Sequence, residues 1–87
     1  MKQIHAFFSG QVQGVGFRYQ AKETADSLGL TGFVKNLPNG QVELLAEGEK
    51  KDLEKFLAVL KENFKIDNIQ IDWSQSSDNF SLFEISL

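Results

Sequence analysis

The sequence predicts an α+β fold, two helices laid on one face of an antiparallel sheet. Three observations carry the prediction. Apolar residues alternate with polar ones in several short stretches and recur at helical spacing in two longer ones. These stretches come in the order strand, helix, strand, strand, helix, strand. A chain of 87 residues with 41% hydrophobic content also has room for only one core, so 1–87 reads as a single small domain.

Residues 3–12 form the first strand, with Ile4, Ala6, Phe8 and Val12 on one side and His5, Ser9 and Gln11 on the other, Phe7 breaking the alternation mildly. From Phe17 onward, Phe17, Ala21, Ala25 and Leu28 fall on one helical face, and Gly29 supplies the left-handed residue that ends such a helix. Helix one is thus expected over 17–28. Residues 30–37 are extended, and Leu37-Pro38-Asn39-Gly40 is a turn, since Asn-Gly tolerates positive φ. Val42, Leu44 and Ala46 then alternate with Glu43 and Glu47 up to Gly48, which completes a hairpin. Leu53, Phe56, Leu57, Leu60 and Phe64 make one apolar stripe and define helix two over 50–64. Ile69, Ile71 and Trp73 alternate as a fourth strand, with Trp73 in the packing, the Ser/Asp/Asn cluster 74–79 is a loop, and 80–87 adds a short terminal strand.

This order is that of the ferredoxin-like split βαβ sandwich. In that topology the first two strands run in the same direction with another inserted between them. The loop after strand one and the end of strand two therefore come out at the same end of the sheet, which brings Asn36 toward the loop at Gly14 to Arg18.

Composition narrows the function. With no cysteine there is no disulfide framework, no thiolate nucleophile and no Cys-based metal site, and a reducing compartment is expected. Met1 to His5 lacks an apolar run, and no stretch approaches the roughly 18 apolar residues that span a bilayer, so a soluble cytoplasmic protein with no membrane partner is predicted. A net charge of −3 argues against nucleic acid, which is held by clustered Lys and Arg. Residues 1–40 carry +2 and residues 41–87 carry −5, leaving the anion-binding candidates in the less acidic half.

The most informative residue is Arg18, the only arginine, which follows Gly14-Val15-Gly16-Phe17 where strand gives way to helix. Glycines let successive backbone N–H groups converge on one point, a helix start adds unpaired N–H groups and a positive dipole end, and a guanidinium offers a two-pronged donor. Together they suit a phosphate. Neither common nucleotide motif is present, because Tyr19 stands where a third glycine would be required and no Gly-Lys-Ser/Thr follows. Taken singly, the loop reads as a tight turn and Asn36 as a residue beside a turn.

The two stretches together say more. Gly10-Gln11-Val12-Gln13-Gly14-Val15-Gly16-Phe17-Arg18 and Gly32-Phe33-Val34-Lys35-Asn36, continued by Gly40, Val42 and Gly48, resemble the two signature stretches of the acylphosphatase family, in the same order and spacing. Asn39 departs from the aspartate the family often has before the turn glycine, which bears only on turn geometry. The resemblance implies hydrolysis of acyl phosphates, mixed anhydrides of a carboxylic acid and phosphate, to carboxylate and inorganic phosphate. It implies that Arg18 binds the phosphate, that Asn36 orients the attacking water, and that the amides of Gln13, Gly14, Val15, Gly16 and Phe17 complete the cradle. A proton acceptor within the substrate's own phosphate is implied as well.

The residues agree with that chemistry. A carboxylate leaving group has a conjugate acid of pKa about 4 and departs without a general acid, and neither motif holds a histidine, cysteine or carboxylate pair. No metal-ligand cluster is visible, so no metal and no cofactor are expected, and the partners are a small-molecule substrate and a phosphate product, bound by a monomer. His5 and helix two read as structural, and Tyr19 as either packing or site. Two further readings stay open: single-stranded RNA stacked on Phe7 and Phe33 of an open sheet face, and a receptor that holds phosphate without turning anything over.

Overall fold

A computed structural model describes residues 1–86; Leu87, the last residue of the expected terminal stretch, lies outside the described residues. The elements are β1 (Lys2–Gly10), α1 (Phe17–Ser27), β2 (Thr31–Asn36), β3 (Val42–Gly48), α2 (Lys50–Asn63), β4 (Ile66–Gln75) and β5 (Phe83–Ile85). The strands form one sheet in the order β4-β1-β3-β2-β5. β1 lies antiparallel to β3 and β4, and β3 lies antiparallel to β2, which is the ferredoxin-like arrangement. β5 runs parallel to β2, pairing Phe83 to Ile85 with Gly32 to Val34, so the sheet is mixed rather than wholly antiparallel.

Register explains which side is covered. Ile4, Ala6 and Phe8 lie opposite Ala46, Leu44 and Val42 on one flank and Trp73, Ile71 and Ile69 on the other. Because side chains alternate across a strand, these all face the helices. There they meet Ala21 and Ala25 of α1 and Leu53, Phe56 and Leu60 of α2, each fully buried. Trp73 departs from the expected packing role in part, since it keeps 41% of its surface exposed at the β4 edge.

The first strand ends at Gly10, two residues earlier than the alternation predicts. The ladder to β4 shifts register between Ser9 and Gly10, and the Gln11 N–H turns to the Lys65 carbonyl at 2.9 Å. Val12 remains buried, as its apolar character requires, but in the loop. β4 begins earlier than Ile69, because pairing with β1 extends its ladder to Ile66.

The segment between β4 and β5 passes over the face away from the helices. Ser77 donates from its backbone N–H and its hydroxyl to Glu47 Oε2, at 2.8 and 2.9 Å, which leaves Glu47 only 2% exposed. Phe80 packs at a tilt against Phe33 with ring centroids 6.0 Å apart. His5 meets the Glu43 carboxylate at 2.7 Å on the same face. Phe33 is thus half-buried, and Glu43 and Glu47 share its face of the sheet.

Gly32 lies close against the β3 backbone, paired with Ala46. Its φ is +137°, and a Cβ there would stand 1.9 Å from the Leu45 carbonyl oxygen, a backbone atom fixed by the ladder. Gly32→Ala is expected to cost about 3 kcal/mol through strain and displaced pairing. Urea unfolding followed by circular dichroism checks this, and an unchanged midpoint would show that the strand yields. No helix among the described residues is long and apolar enough to cross a membrane.

Candidate active site

The loop between β1 and α1 is held at both ends by the core. Val12 is 1% exposed, and so is Phe17, the first residue of α1, whose ring packs at a tilt against Phe8 and Phe64 with centroids 5.1 and 4.9 Å away. Burying Phe17 fixes where the helix starts and hence where the next side chain, Arg18, projects. Gly14 and Gly16 between these anchors take φ of 73° and 83°, the left-handed region that β-carbon-bearing residues avoid. A Cβ at either glycine would meet nothing within 4 Å, so the requirement is conformational, not steric.

The N-cap of α1 is Gly16, with no side-chain cap. Gln20 N–H bonds to the Gly16 carbonyl at 3.0 Å and begins the helical ladder. Among the described residues, the N–H groups of Gln13, Gly14, Val15, Gly16, Phe17 and Arg18 donate to no protein acceptor. A run of free donors at a helix start, alternating through left-handed glycines, is the geometry that gathers an anion.

Asn36 closes β2, opposite Val42 in the hairpin. β1 and β2 run the same way with β3 between them, so the end of β2 reaches the same end of the sheet as the loop. Arg18 and Asn36 line one cavity of about 190 Å³, with Val12, Gly14, Gly16, Phe17 and Tyr19 completing its walls. Neither Val15, exposed at the loop, nor Gln13 belongs to the cavity wall. The Asn36 side-chain oxygen Oδ1 is buried and accepts no hydrogen bond among the described residues. An orphaned buried acceptor is uncommon and asks for a donor.

The Arg18 guanidinium is likewise uncommitted. Ion pairs among the described residues join Lys22 to Asp26 and, when the imidazole is protonated, His5 to Glu43; none involves Arg18. The cavity therefore offers a free cation, free amide donors and one free amide oxygen. Among the described residues no three His, Asp or Glu side chains gather closely enough to hold a metal ion. Its volume falls below the roughly 300 Å³ of a site that encloses a whole small molecule, so it suits one end of a ligand. A larger hollow of about 550 Å³, walled by Lys2, Lys50, Glu54, Trp73, Ser74 and Gln75, lies at the opposite end of the sheet, away from these groups.

Sequence reasoning left the role of Tyr19 open and missed that of the Gln13 side chain. Tyr19, 75% exposed, stands at the cavity rim. The Gln13 side chain turns away from it and donates from Nε2 to the Leu37 and Gln41 carbonyls, at 2.9 and 2.8 Å. Its partners lie 24 and 28 residues ahead, beyond the reach of any local pattern.

Fold and site together define a small α+β sandwich that presents unpaired loop amides, a guanidinium and a carboxamide at one end of its sheet. The acylphosphatase family model matches residues 4–85. An acylphosphatase of Acaryochloris marina is 41% identical over 85 residues, covering 94% of this chain and 90% of that protein. The crystal structure of acylphosphatase from Bacillus subtilis superposes with a TM-score of 0.94 at 39% identity, each chain covered in full. An acylphosphatase structure from Coxiella burnetii gives 0.88 at 36% identity, covering 98% of this chain and 92% of that one. The chain belongs to the acylphosphatase family, and its activity is that of the family, hydrolysis of acyl phosphates.

Proposed function

We propose that this chain, as one domain and as a monomer, hydrolyses acyl phosphates without a metal ion, through Arg18, Asn36 and the amides of Gln13 to Phe17. The observation that carries the reading is the single cavity shared by the unpaired guanidinium and the orphaned Asn36 oxygen. Arg18 grips two phosphoryl oxygens with its fork while the loop amides hold the others, so the charge spread over the transferring group meets fixed donors. The Asn36 Oδ1 accepts a hydrogen bond from water and aims the water oxygen at phosphorus. As that oxygen bonds to phosphorus, the bond from phosphorus to the carboxylate oxygen breaks. One proton of the water passes to a phosphoryl oxygen of the substrate and the other stays on the oxygen newly bonded to phosphorus, giving a free carboxylate and inorganic phosphate.

The leaving carboxylate, with a conjugate acid of pKa about 4, needs no acid to help it depart. Positioning and electrostatics suffice for such a reaction. The limited volume of the cavity supports binding of the phosphoryl end, with the acyl group extending past Tyr19 toward solvent.

The test follows benzoyl phosphate in the presence and absence of a strong chelator. Turnover is expected at the same rate in both. A rate abolished by the chelator and restored by a divalent cation would overturn metal independence, and tight phosphate binding with no turnover would favour a receptor.

A further inference from the structure

We propose that the Gln13 side chain is a positioning residue that sets the distance between the phosphate cradle and Asn36. The inference rests on the catalytic reading above and deepens it. Arg18 and its amides belong to the segment joining β1 to α1, whereas Asn36 belongs to the β2–β3 hairpin. These are separate pieces of chain, and their relative placement decides whether water meets phosphorus in line. Errors of about 1 Å in such placement cost on the order of a hundredfold in rate.

The Gln13 side-chain amide spans the gap. Gln13 Nε2 has two hydrogens, and both are used, one on the Leu37 carbonyl at 2.9 Å and one on the Gln41 carbonyl at 2.8 Å. Those carbonyls flank the turn immediately after Asn36, and the turn is itself closed by Leu37 N–H to Gln41 O at 2.8 Å and Gly40 N–H to Leu37 O at 3.1 Å. Gln13 thus grips the one rigid unit that carries Asn36. A second tie runs in parallel: Gln41 Nε2 donates to Ser9 Oγ at 2.9 Å, fastening the same turn to the end of β1. Asn39 holds Gln41 in place by accepting from its backbone N–H and donating to its side-chain oxygen, both at 3.0 Å.

Glutamine suits this task for a physical reason. Two carbonyl oxygens converging on one point repel each other unless a donor with two hydrogens sits between them, and a carboxamide nitrogen is a neutral donor of that kind. A charged donor at that place would compete with Arg18 for the substrate.

The experiment uses the intact protein and the variants Gln13→Met, of similar length with no donor, and Gln13→Glu, of the same shape with acceptors facing the two carbonyls. For each, kcat with benzoyl phosphate and the inhibition constant of inorganic phosphate are measured. Phosphate needs only the cradle, so its constant is expected to change less than about threefold, while kcat falls about 10- to 100-fold in both variants. A kcat within about twofold of the parent, or a phosphate constant that weakens in step with kcat, would overturn the proposal. If the parent itself shows no turnover, it is the catalytic reading that fails.

A measurement on the parent protein guards against variants that do not fold. The Gln13 side-chain amide protons, followed by nuclear magnetic resonance, are expected to exchange slowly with solvent and to stay put as phosphate saturates the cradle. Their transfer to the phosphate would show a binding role instead of a positioning one.

Discussion

Arg18→Ala is expected to lower kcat/KM for an acyl phosphate by about 100- to 10,000-fold. The estimate follows from two charge-assisted hydrogen bonds of about 1.5–3 kcal/mol each, lost together when the fork is removed. The helix dipole that remains contributes about 0.3–1 kcal/mol and cannot compensate. Inorganic phosphate should weaken as a competitive inhibitor in parallel, because it uses the same donors. Stability should hardly move, since the guanidinium makes no ion pair among the described residues and its loss breaks none. Arg18→Lys keeps the charge but replaces a planar pair of donors by a point, and a loss of about a hundredfold is expected. Steady-state kinetics alongside thermal unfolding separates these effects. A lysine variant with parental turnover would show that charge alone is enough.

The second large effect falls on Asn36. Asn36→Ala should reduce kcat by about 100- to 1,000-fold, the scale on which removing one preorganised polar contact to a reacting group acts. The inhibition constant of phosphate should change little, because an aimed water contributes to the transition state and not to holding the product. This split distinguishes Asn36 from Arg18. Removing an orphaned buried oxygen should also leave stability unchanged or slightly raised, as unpaired acceptors are costly to bury. Asn36→Asp keeps the shape but sets a negative charge against a phosphoryl group, so kcat and phosphate binding are both expected to suffer. If Asn36→Ala turned over substrate at the parental rate, the water would have to be oriented by something else.

Much of this was legible in the chain because apolar periodicity reports which face of an element is buried. Phe17, Ala21 and Ala25 stand on the buried side of α1 and Leu53, Phe56 and Leu60 on that of α2, as their spacing predicts. The approach of Asn36 to the loop followed from topology alone, since parallel strands must end on the same side of a sheet. What escaped was set by contacts between distant segments. Val12 carries the alternation of a strand, yet the chain leaves the ladder at Gly10 because the Lys65 carbonyl captures the next N–H. Trp73 alternates as a core residue would, but β4 is an edge, and nothing in a local pattern distinguishes an edge from a centre. The direction of β5 depends on the passage of residues 76–82 across the sheet, which polar, irregular sequence does not encode. Gln13 was assigned to the cradle by its backbone, and only the hairpin brought beside it gives its side chain a partner.

The parallel pairing of β5 with β2 has a consequence for how the chain matures. β2 forms its hairpin with β3 early, from residues close in sequence, but its other flank stays bare until a segment about fifty positions downstream arrives. During synthesis, at the usual 5–20 residues per second, that flank is a sticky backbone ribbon waiting several seconds for its own shield. Three residues, Phe83 to Ile85, then both seal the ribbon and sink a phenylalanine ring beneath the helices. Damage to so short a stretch should therefore show itself first as aggregation of newly made protein.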